Sequence, residues 1–478
     1  MTLLSAQTLS KNARSFDYDR NAVDVGIVHF GIGNFHRAHQ AVYVDDLLST
    51  GETQWGITGI SLRSSTMRDK LKPQGYLYTL AILGNSTEYR IIGAINNVLV
   101  APSEPDAVIN LIGKPSTQLI SSTITEKGYG LASGEVDFSR ADIQAEAASL
   151  ESPTTIYGFL ARGIIQRVQN ELNSKLTIMC CDNISKGGEF LKSGVEHLLN
   201  IHAPEALSWA RQNVSFISSM VDRVSPATDD ALKDSVLRDT NCVDAAPVST
   251  EPFTQWVIED NFAGARPNFD KVGAVFVNDI EPFERMKLRY LNAAHTMAST
   301  LGYLSGDTYV HEALERPEIF KFMSDALYKN VLPNAAVPRG YDGGDYIEDV
   351  INRFQNSSLP YANLQVGTDS SQKIQQRWFP TIDQALINKA DTSYFAFCLG
   401  AWVIFIREAL QNNVLNDPKT SNFKDVKTAD LNEVIESYLK TANADQFKFF
   451  KNANFMNSVN QHAQAVIAKG VKQAIIDF

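Results

Sequence analysis

The chain has 478 residues, with 43 basic against 54 acidic side chains and a formal net charge of −11. Its length leads us to expect about two or three domains, its 44% apolar content excludes wholesale disorder, and its acidity argues against a phosphate-backbone ligand. Cys180, Cys181, Cys242 and Cys398 make neither a disulfide framework nor a CxxC pair. No uninterrupted apolar run approaches the ~18–20 residues that span a bilayer, and the polar opening at residues 1–7 lacks a secretory core. The expectation is a cytoplasmic protein with a small-molecule partner and no nucleic-acid or membrane partner, a monomer or small homo-oligomer.

Residues 1–22 read as a polar surface arm. A short β-rich run at 25–30 leads directly into Gly31-Ile32-Gly33, and a helix is expected from 34 to about 48, with Gly51 as its stop. The run at 55–62 reads as the next strand, so the chain opens as a β-α-β unit. Further strand-like runs stand at 76–83, 89–95, 118–124 and 176–181, with helical stretches near 104–113, 155–172 and 186–200 between some of them. This alternation predicts an α/β domain with a mainly parallel sheet, whose last strand lies at 271–277. From Pro282 onward the segments 282–303, 315–330, 344–355, 380–389, 393–411, 430–440 and 455–473 mostly read as helical. The expected architecture is an α/β domain over 1–280 and a mainly α-helical domain over 281–478.

Gly31-Ile32-Gly33-Asn34-Phe35-His36-Arg37-Ala38-His39 follows a strand and opens a helix, the context a dinucleotide fingerprint requires. Gly31 permits the tight turn, Gly33 lets the backbone approach a pyrophosphate, and free N–H groups with the positive end of the helix dipole hold the phosphates. The third glycine is replaced by His36, leaving Ala38 to supply close helix–strand packing. The competing reading is a plain strand-to-helix turn. His36 and His39 sit three apart on one helical face, yet no Cys, Asp or Glu at ligand spacing completes a metal set, so no metal site is expected.

A second polar cluster lies on the helix beginning near 282. At about 100° per residue, Asn292 falls about 140° round from Lys287, His295 about 80° and Glu284 about 60°. A lysine whose pKa is lowered by burial serves as a base for an alcohol, and an amide donates to the developing alkoxide. The competing reading is a solvated helix face. Cys181-Asp182-Asn183 and Thr125-Glu126-Lys127-Gly128-Tyr129 each follow a strand, where an α/β sheet presents ligand-facing residues. Asn183 is either a second amide donor or a turn-forming residue.

Taken together, the glycine loop, Thr125–Tyr129, Cys181–Asn183, Met220-Val221-Asp222-Arg223, the stretch at 251–260 and the Lys287…Asn292…His295 helix resemble the polyol-specific long-chain dehydrogenases, the family of mannitol 2-dehydrogenase and fructuronate reductase (mannonate oxidoreductase). They occur in the family's order and span about residues 25 to 380. The resemblance implies a Rossmann-type domain, a helical substrate domain and metal-independent hydride transfer. It makes Lys287 the catalytic base, Asn183 and Asn292 the oxygen-holding amides, His295 the substrate-orienting histidine and Glu284 an acid relaying the proton to solvent. Asp222, Gln365 and Lys373 become substrate-binding residues, and Gly31, Gly33, Asn34, Phe35, Arg63 and Glu126 the cofactor-binding ones. Gln365 stands where mannitol and arabinitol dehydrogenases tend to carry Arg and fructuronate reductases Gln, which favours mannonate and fructuronate; Tyr309-Val310-His311-Glu312 looks like the polyol enzymes and keeps mannitol and fructose as the alternative. NAD is the family's default cofactor. Leu62-Arg63-Ser64-Ser65-Thr66, with no acid before Asp69, leaves NADP open. A nucleotide-binding scaffold that lost turnover is the remote alternative.

Overall fold

The computed structural model describes residues 2–132, 134–426 and 430–478, and the chain forms two compact units, Met1–Ile280 and Glu281–Phe478. The first is built on an eight-stranded sheet. In chain order the strands are β1 Val25–Phe30, β2 Gly56–Ser61, β3 Ile95–Val100, β4 Leu119–Ser122, β5 Leu176–Cys180, β6 Val214–Asp222, β7 Gln255–Glu259 and β8 Val275–Val277. Side by side they run β3-β2-β1-β4-β5-β6-β7-β8. The first six are parallel, β7 is antiparallel to β6, and β8 is parallel to β7. The first six strands thus have the doubly wound order of a Rossmann domain, with the reversal between β1 and β4.

Consecutive apolar residues explain why these strands are buried on both faces. Ile27, Leu119 and Met179 belong to one core, while Val28, Ile120 and Ile178 belong to the other. Helix Gln40–Ser49 covers the first through Ala41, Val44, Leu47 and Leu48. Pro105–Ile112, Ile156–Gln169 and Gly187–His202 cover the second.

Three expectations are corrected here. The runs near 78 and 89 leave the main sheet: Tyr78–Leu83 and Thr87–Ile92 form an antiparallel hairpin that Val248–Thr250 extends into a separate three-stranded sheet. Residues 84–86 are too short to make the crossover that parallel strands need. The expected surface arm is tied into the unit instead. Thr2–Leu3 pairs with Cys242–Val243, Leu4 is fully buried beside Leu77 and Ile91, and Arg20 donates to the carbonyls of Gly93 and Ile95 at 2.9 and 2.8 Å. The helix from residue 34 is two helices, Asn34–Ala38 and Gln40–Ser49, broken at His39 (φ −124°, ψ −89°).

The second unit is helical. Ser393–Gln411 is long and apolar enough to cross a membrane by length and composition alone, although Arg407 and Glu408 interrupt the run, and 78% of its most apolar window is buried inside the protein. It packs along Ala453–Ile476, and the approach is close at Gly400, where a Cβ would stand 2.8 Å from the Ala463 nitrogen and the Val459 oxygen. The segment bearing Lys287 is a helix Glu281–Lys287, a π turn Leu288–Asn292 and a helix Ala293–Leu304. A second π turn, Leu327–Val331, packs against the first.

Candidate active site

In the first unit the glycine turn sits at the sheet's reversal point. Phe30 pairs with Ser122, Ser122 with Cys180 and Cys180 with Ser218, so the carboxyl ends of β1, β4, β5 and the middle of β6 stand level. The loops carrying Gly31, Glu126 and Asn183 therefore leave neighbouring strands at one edge, and Asp222 ends β6 four residues further on. Gly31 has φ +102°, and a Cβ there would meet the Thr123 carbonyl oxygen at 2.0 Å, so neither the backbone angle nor the space admits another residue. Gly33 differs. It caps the helix Asn34–Ala38 in extended conformation (φ −81°, ψ −177°), and the volume its Cβ would fill is open.

A buried network under the turn holds it in place. The His29 ring nitrogens lie 2.8 Å from the Ser121 hydroxyl, 2.9 Å from the Thr123 hydroxyl and 3.1 Å from the Gly31 carbonyl, and Thr123 donates to that same carbonyl at 2.8 Å. Gln40 reaches Ser121 from the second helix at 2.9 Å. His36, in the third glycine's place, stacks on His29 with ring centroids 3.5 Å apart. A flat ring on a flat ring thus gives the close helix–strand contact otherwise left to Ala38. Burial lowers the His29 pKa to about 3 and pushes His36 well down as well, so both are neutral. Because the helix breaks at His39, that ring turns to Phe35 and to the Gln255 carbonyl, and the expected two-histidine face does not form. Among the described residues no group of three His, Cys, Asp or Glu could hold a metal ion.

The neighbouring loops are locked to one another. Asp182 accepts hydrogen bonds from the backbone of Ile124 (2.8 Å) and Thr125 (3.0 Å) and from the Tyr129 hydroxyl (2.6 Å), which fixes the Thr125–Tyr129 turn against the loop carrying Asn183. Burial raises its carboxyl pKa above the ordinary range, and these donors offset part of that rise. Glu126 and Asn183 are exposed, and Asp222 is buried. The Asn34 amide donates to the Pro226 carbonyl at 2.8 Å and accepts from Arg37 at 2.7 Å, so its side chain is engaged within the unit. Phe35 is half-buried against His39. Arg63 is exposed, just beyond β2.

In the second unit the π turn changes the pattern read from the sequence. It lies between Lys287 and His295 and inserts one residue into the helical repeat. With that residue discounted, Asn292 follows Lys287 as an i+4 neighbour, about 40° round, and His295 as i+7, about 20° round, while Glu284 stays at about 60°. All four therefore fall on one stripe. Lys287 is buried and the other three are half-buried. The His295 ring is set by Phe354 (centroids 4.2 Å apart) and Tyr361 (5.7 Å). Helix Ser370–Arg377 packs on the π turn and on Ala293–Leu304, with Arg377 donating to Thr296 at 2.8 Å and Trp378 to the Ala293 carbonyl at 3.1 Å. Lys373 lies one turn before Arg377 on this helix. Burial, then the neighbouring Arg377, lowers the Lys373 pKa, and its ammonium donates to the Val366 carbonyl at 3.3 Å. Gln365 is exposed on the short helix Asn363–Val366.

Residues 25–271 match the mannitol dehydrogenase Rossmann domain, and residues 279–467 match the mannitol dehydrogenase C-terminal domain. The chain belongs to the mannitol dehydrogenase family. Relatives in this family of oxidoreductases include D-mannonate oxidoreductase of Escherichia coli, 32% identical over 99% of both chains. Mannitol 2-dehydrogenase of Aspergillus fumigatus is 37% identical over 81% of this chain and 79% of its own. Among solved structures, substrate-free D-sorbitol dehydrogenase superposes with a TM-score of 0.91 at 28% identity, covering 99% of this chain and 100% of its own. The Pseudomonas fluorescens mannitol 2-dehydrogenase ternary complex with NAD and D-mannitol gives 0.81 at 32% identity, covering 100% and 99%.

Four features went unread in the sequence: His29, Ser121, Asp182 and the π turn. His29 and Asp182 lie within quoted motifs, and a polar residue in or just after an otherwise apolar strand was the available signal. The π turn leaves no comparable trace in residue type.

Proposed function

We propose that this member of the mannitol dehydrogenase family is a metal-independent, NAD(P)-dependent oxidoreductase that interconverts D-mannonate and D-fructuronate. The observation that carries the reading is the single stripe of Glu284, Lys287, Asn292 and His295 created by the π turn. Lys287, as the neutral amine, takes the hydroxyl proton of the substrate's secondary alcohol, and as the ammonium returns it in the reducing direction. Asn292 and Asn183 donate hydrogen bonds to the oxygen as its charge changes. His295 orients a neighbouring hydroxyl, Glu284 passes the proton to solvent, and Asp222, Gln365 and Lys373 bind the rest of the substrate. The nicotinamide, when bound, supplies the hydride acceptor or donor.

The residues present fit such a cofactor. The open volume at Gly33 admits a pyrophosphate close to the backbone N–H groups of Asn34 and Phe35, while the Gly31 turn keeps the chain out of its way. Glu126 belongs to the adjoining turn, and exposed Arg63 is a counter-charge for a 2′-phosphate. NAD, the family's default, is the proposed cofactor, with NADP accepted through Arg63; the relatives include polyol:NADP oxidoreductase of Gluconobacter oxydans, 30% identical over 99% of both chains.

Two cations on the helix packed against the Lys287 segment, Lys373 and Arg377, support a substrate that bears a carboxylate, and the full-length relationship to D-mannonate oxidoreductase points the same way. Mannitol and fructose form the second reading, favoured by Tyr309–Glu312 and by the higher identity to mannitol 2-dehydrogenases. Four free, buried cysteines suit the reducing cytoplasm, which completes the proposal together with a monomeric or small homo-oligomeric state. The test is NADH and NADPH oxidation with fructuronate, tagaturonate and fructose. The highest kcat/KM is expected with fructuronate; a clear preference for fructose replaces the first reading with the second.

A further inference from the structure

The helix that carries Lys287 has a second polar face. Arg285 and Arg289 stand two residues to either side of the lysine and so project roughly opposite to it. Both line a cavity of about 610 Å³, whose wall is completed by Pro282, Tyr290, residues 332–337 and the helix Phe379–Ile387 with its cap Asn388. The polar side chains in that wall are the two guanidinium groups, the amides of Asn334, Gln384 and Asn388, the Thr381 hydroxyl and the Tyr290 hydroxyl, which donates to the Ala335 carbonyl at 2.7 Å; among the described residues no carboxylate lines it. In a chain of net charge −11 this is an unusual local balance.

The arginines are poorly served by the protein itself. Arg289 reaches Thr381 with Nη1 at 3.4 Å, but its Nε is buried with no hydrogen-bond partner. Burial, then the charge of Arg285, lowers its pKa to about 10. Among the described residues Arg285 pairs with Glu281 alone, at 3.7 Å on an exposed surface where such a pair contributes little. Two like charges one turn apart repel each other, and a buried guanidinium N–H without an acceptor adds to that cost. The amides, by contrast, are mutually satisfied: Gln384 donates to Asn388 and Asn388 to Asn334, both at 2.9 Å. Asn334 also donates to the Asn330 carbonyl at 2.9 Å, and all three amides line the cavity that the arginines line.

We propose that this cavity is a binding site, separate from the Lys287 stripe, for a small hydroxylated oxyanion, with Arg289 and Arg285 holding its carboxylate or phosphate and the amides its hydroxyls. A planar guanidinium fork matches either oxyanion. The site does not depend on the reaction proposed above.

The test is calorimetric titration of the full chain, with NADH saturating so that the glycine turn is already engaged. Inorganic phosphate, glucose 6-phosphate and D-gluconate are the probes; the tighter of the last two names the anion class. Saturable binding is expected in the wild type, and R285Q/R289Q should weaken phosphate at least tenfold while turnover stays within twofold. Gluconate held at the substrate site instead would be indifferent to that change. Thr381→Asp provides an independent measurement: a carboxylate placed beside Arg289 should raise Tm and abolish phosphate binding. Absence of saturable binding by all three probes, or wild-type phosphate affinity in either variant, overturns the proposal.

Discussion

At Gly31 the backbone is held from outside, by side chains on neighbouring strands, whereas the Lys287 helix sets its pattern from within, through one additional residue in a turn. The first arrangement tolerates no change at the glycine, because the Thr123 oxygen and the His29 ring already surround it. The second acts through an offset, because the extra residue in the π turn Leu288–Asn292 sets the angle between Lys287 and His295. The comparison teaches where to look for function in each unit: in the identity of a few residues in one, and in the count of residues in the other.

The largest effect is expected at the base. Lys287→Ala should lower kcat by about 10²–10⁴-fold, the range for a positioned acid–base group, with NADH affinity nearly unchanged because the glycine turn belongs to the other unit. Steady-state kinetics beside a fluorescence titration of NADH separates the two. Near-wild-type turnover at neutral pH would remove Lys287 from the chemistry.

Deleting Leu288 tests the count directly. It closes the π turn into an α-helix and rotates Glu284 and Lys287 by about 100° against Asn292 and His295. Turnover should fall by about 10²-fold or more, as for misplaced reacting groups, with helical circular dichroism retained. Full activity in this deletion would mean that the stripe does not matter.

These two expectations also mark what the sequence makes legible. The β-α-β opening, the glycine turn and the helical second unit could be read because each rests on local pattern: strand period, glycine positions and apolar spacing. The runs at 78–83 and 87–92 are legible as strands but not as a separate sheet, since partner choice is a long-range matter, and counting them with the main sheet fails for that reason. Lys287, Asn292 and His295 stand out as a group, yet a regular α-helix puts Asn292 about 140° from the lysine and the π turn brings it to about 40°. His29 and Asp182 escaped notice because their partners, Ser121 and Tyr129 among them, come together only when the strands align.

Within the first unit, the two glycines should part company. Gly31→Ala is expected to destabilise the unit by about 2–5 kcal/mol, combining a positive φ with a Cβ in collision with a backbone oxygen. Gly33→Ala, at ordinary angles and facing open volume, should leave stability within about 0.5 kcal/mol while weakening NADH by tenfold or more. Urea unfolding and NADH titration of both variants measure the contrast. Equal behaviour would show that the open volume at Gly33 has nothing to do with the cofactor.

The smallest effect concerns the network that holds the turn from outside. His29 has a folded pKa of about 3, against about 6.5 in the unfolded chain. The unfolded state therefore binds the proton first as pH falls. Stability due to the neutral, buried ring is fully present above about pH 6.5 and is lost progressively down to about pH 3. At pH 5 the loss from this one group is about 2 kcal/mol, and it is set almost wholly by the unfolded pKa because the folded value lies so far below. His36, stacked on it and also shifted down, acts in the same direction. His29→Gln removes one titrating group, so the decrease in unfolding free energy of the first unit between pH 7 and pH 5 should be about 2 kcal/mol smaller in the variant than in the wild type. Urea titrations at the two pH values, followed by the fluorescence of Trp55 and Trp256 in the core beneath the turn, give both numbers. An identical pH dependence in the two proteins would mean that His29 takes up its proton without disturbing the fold, and that the glycine turn is held by its other bonds, from Thr123 to the Gly31 carbonyl and from the Gly31 N–H to the Ile60 carbonyl.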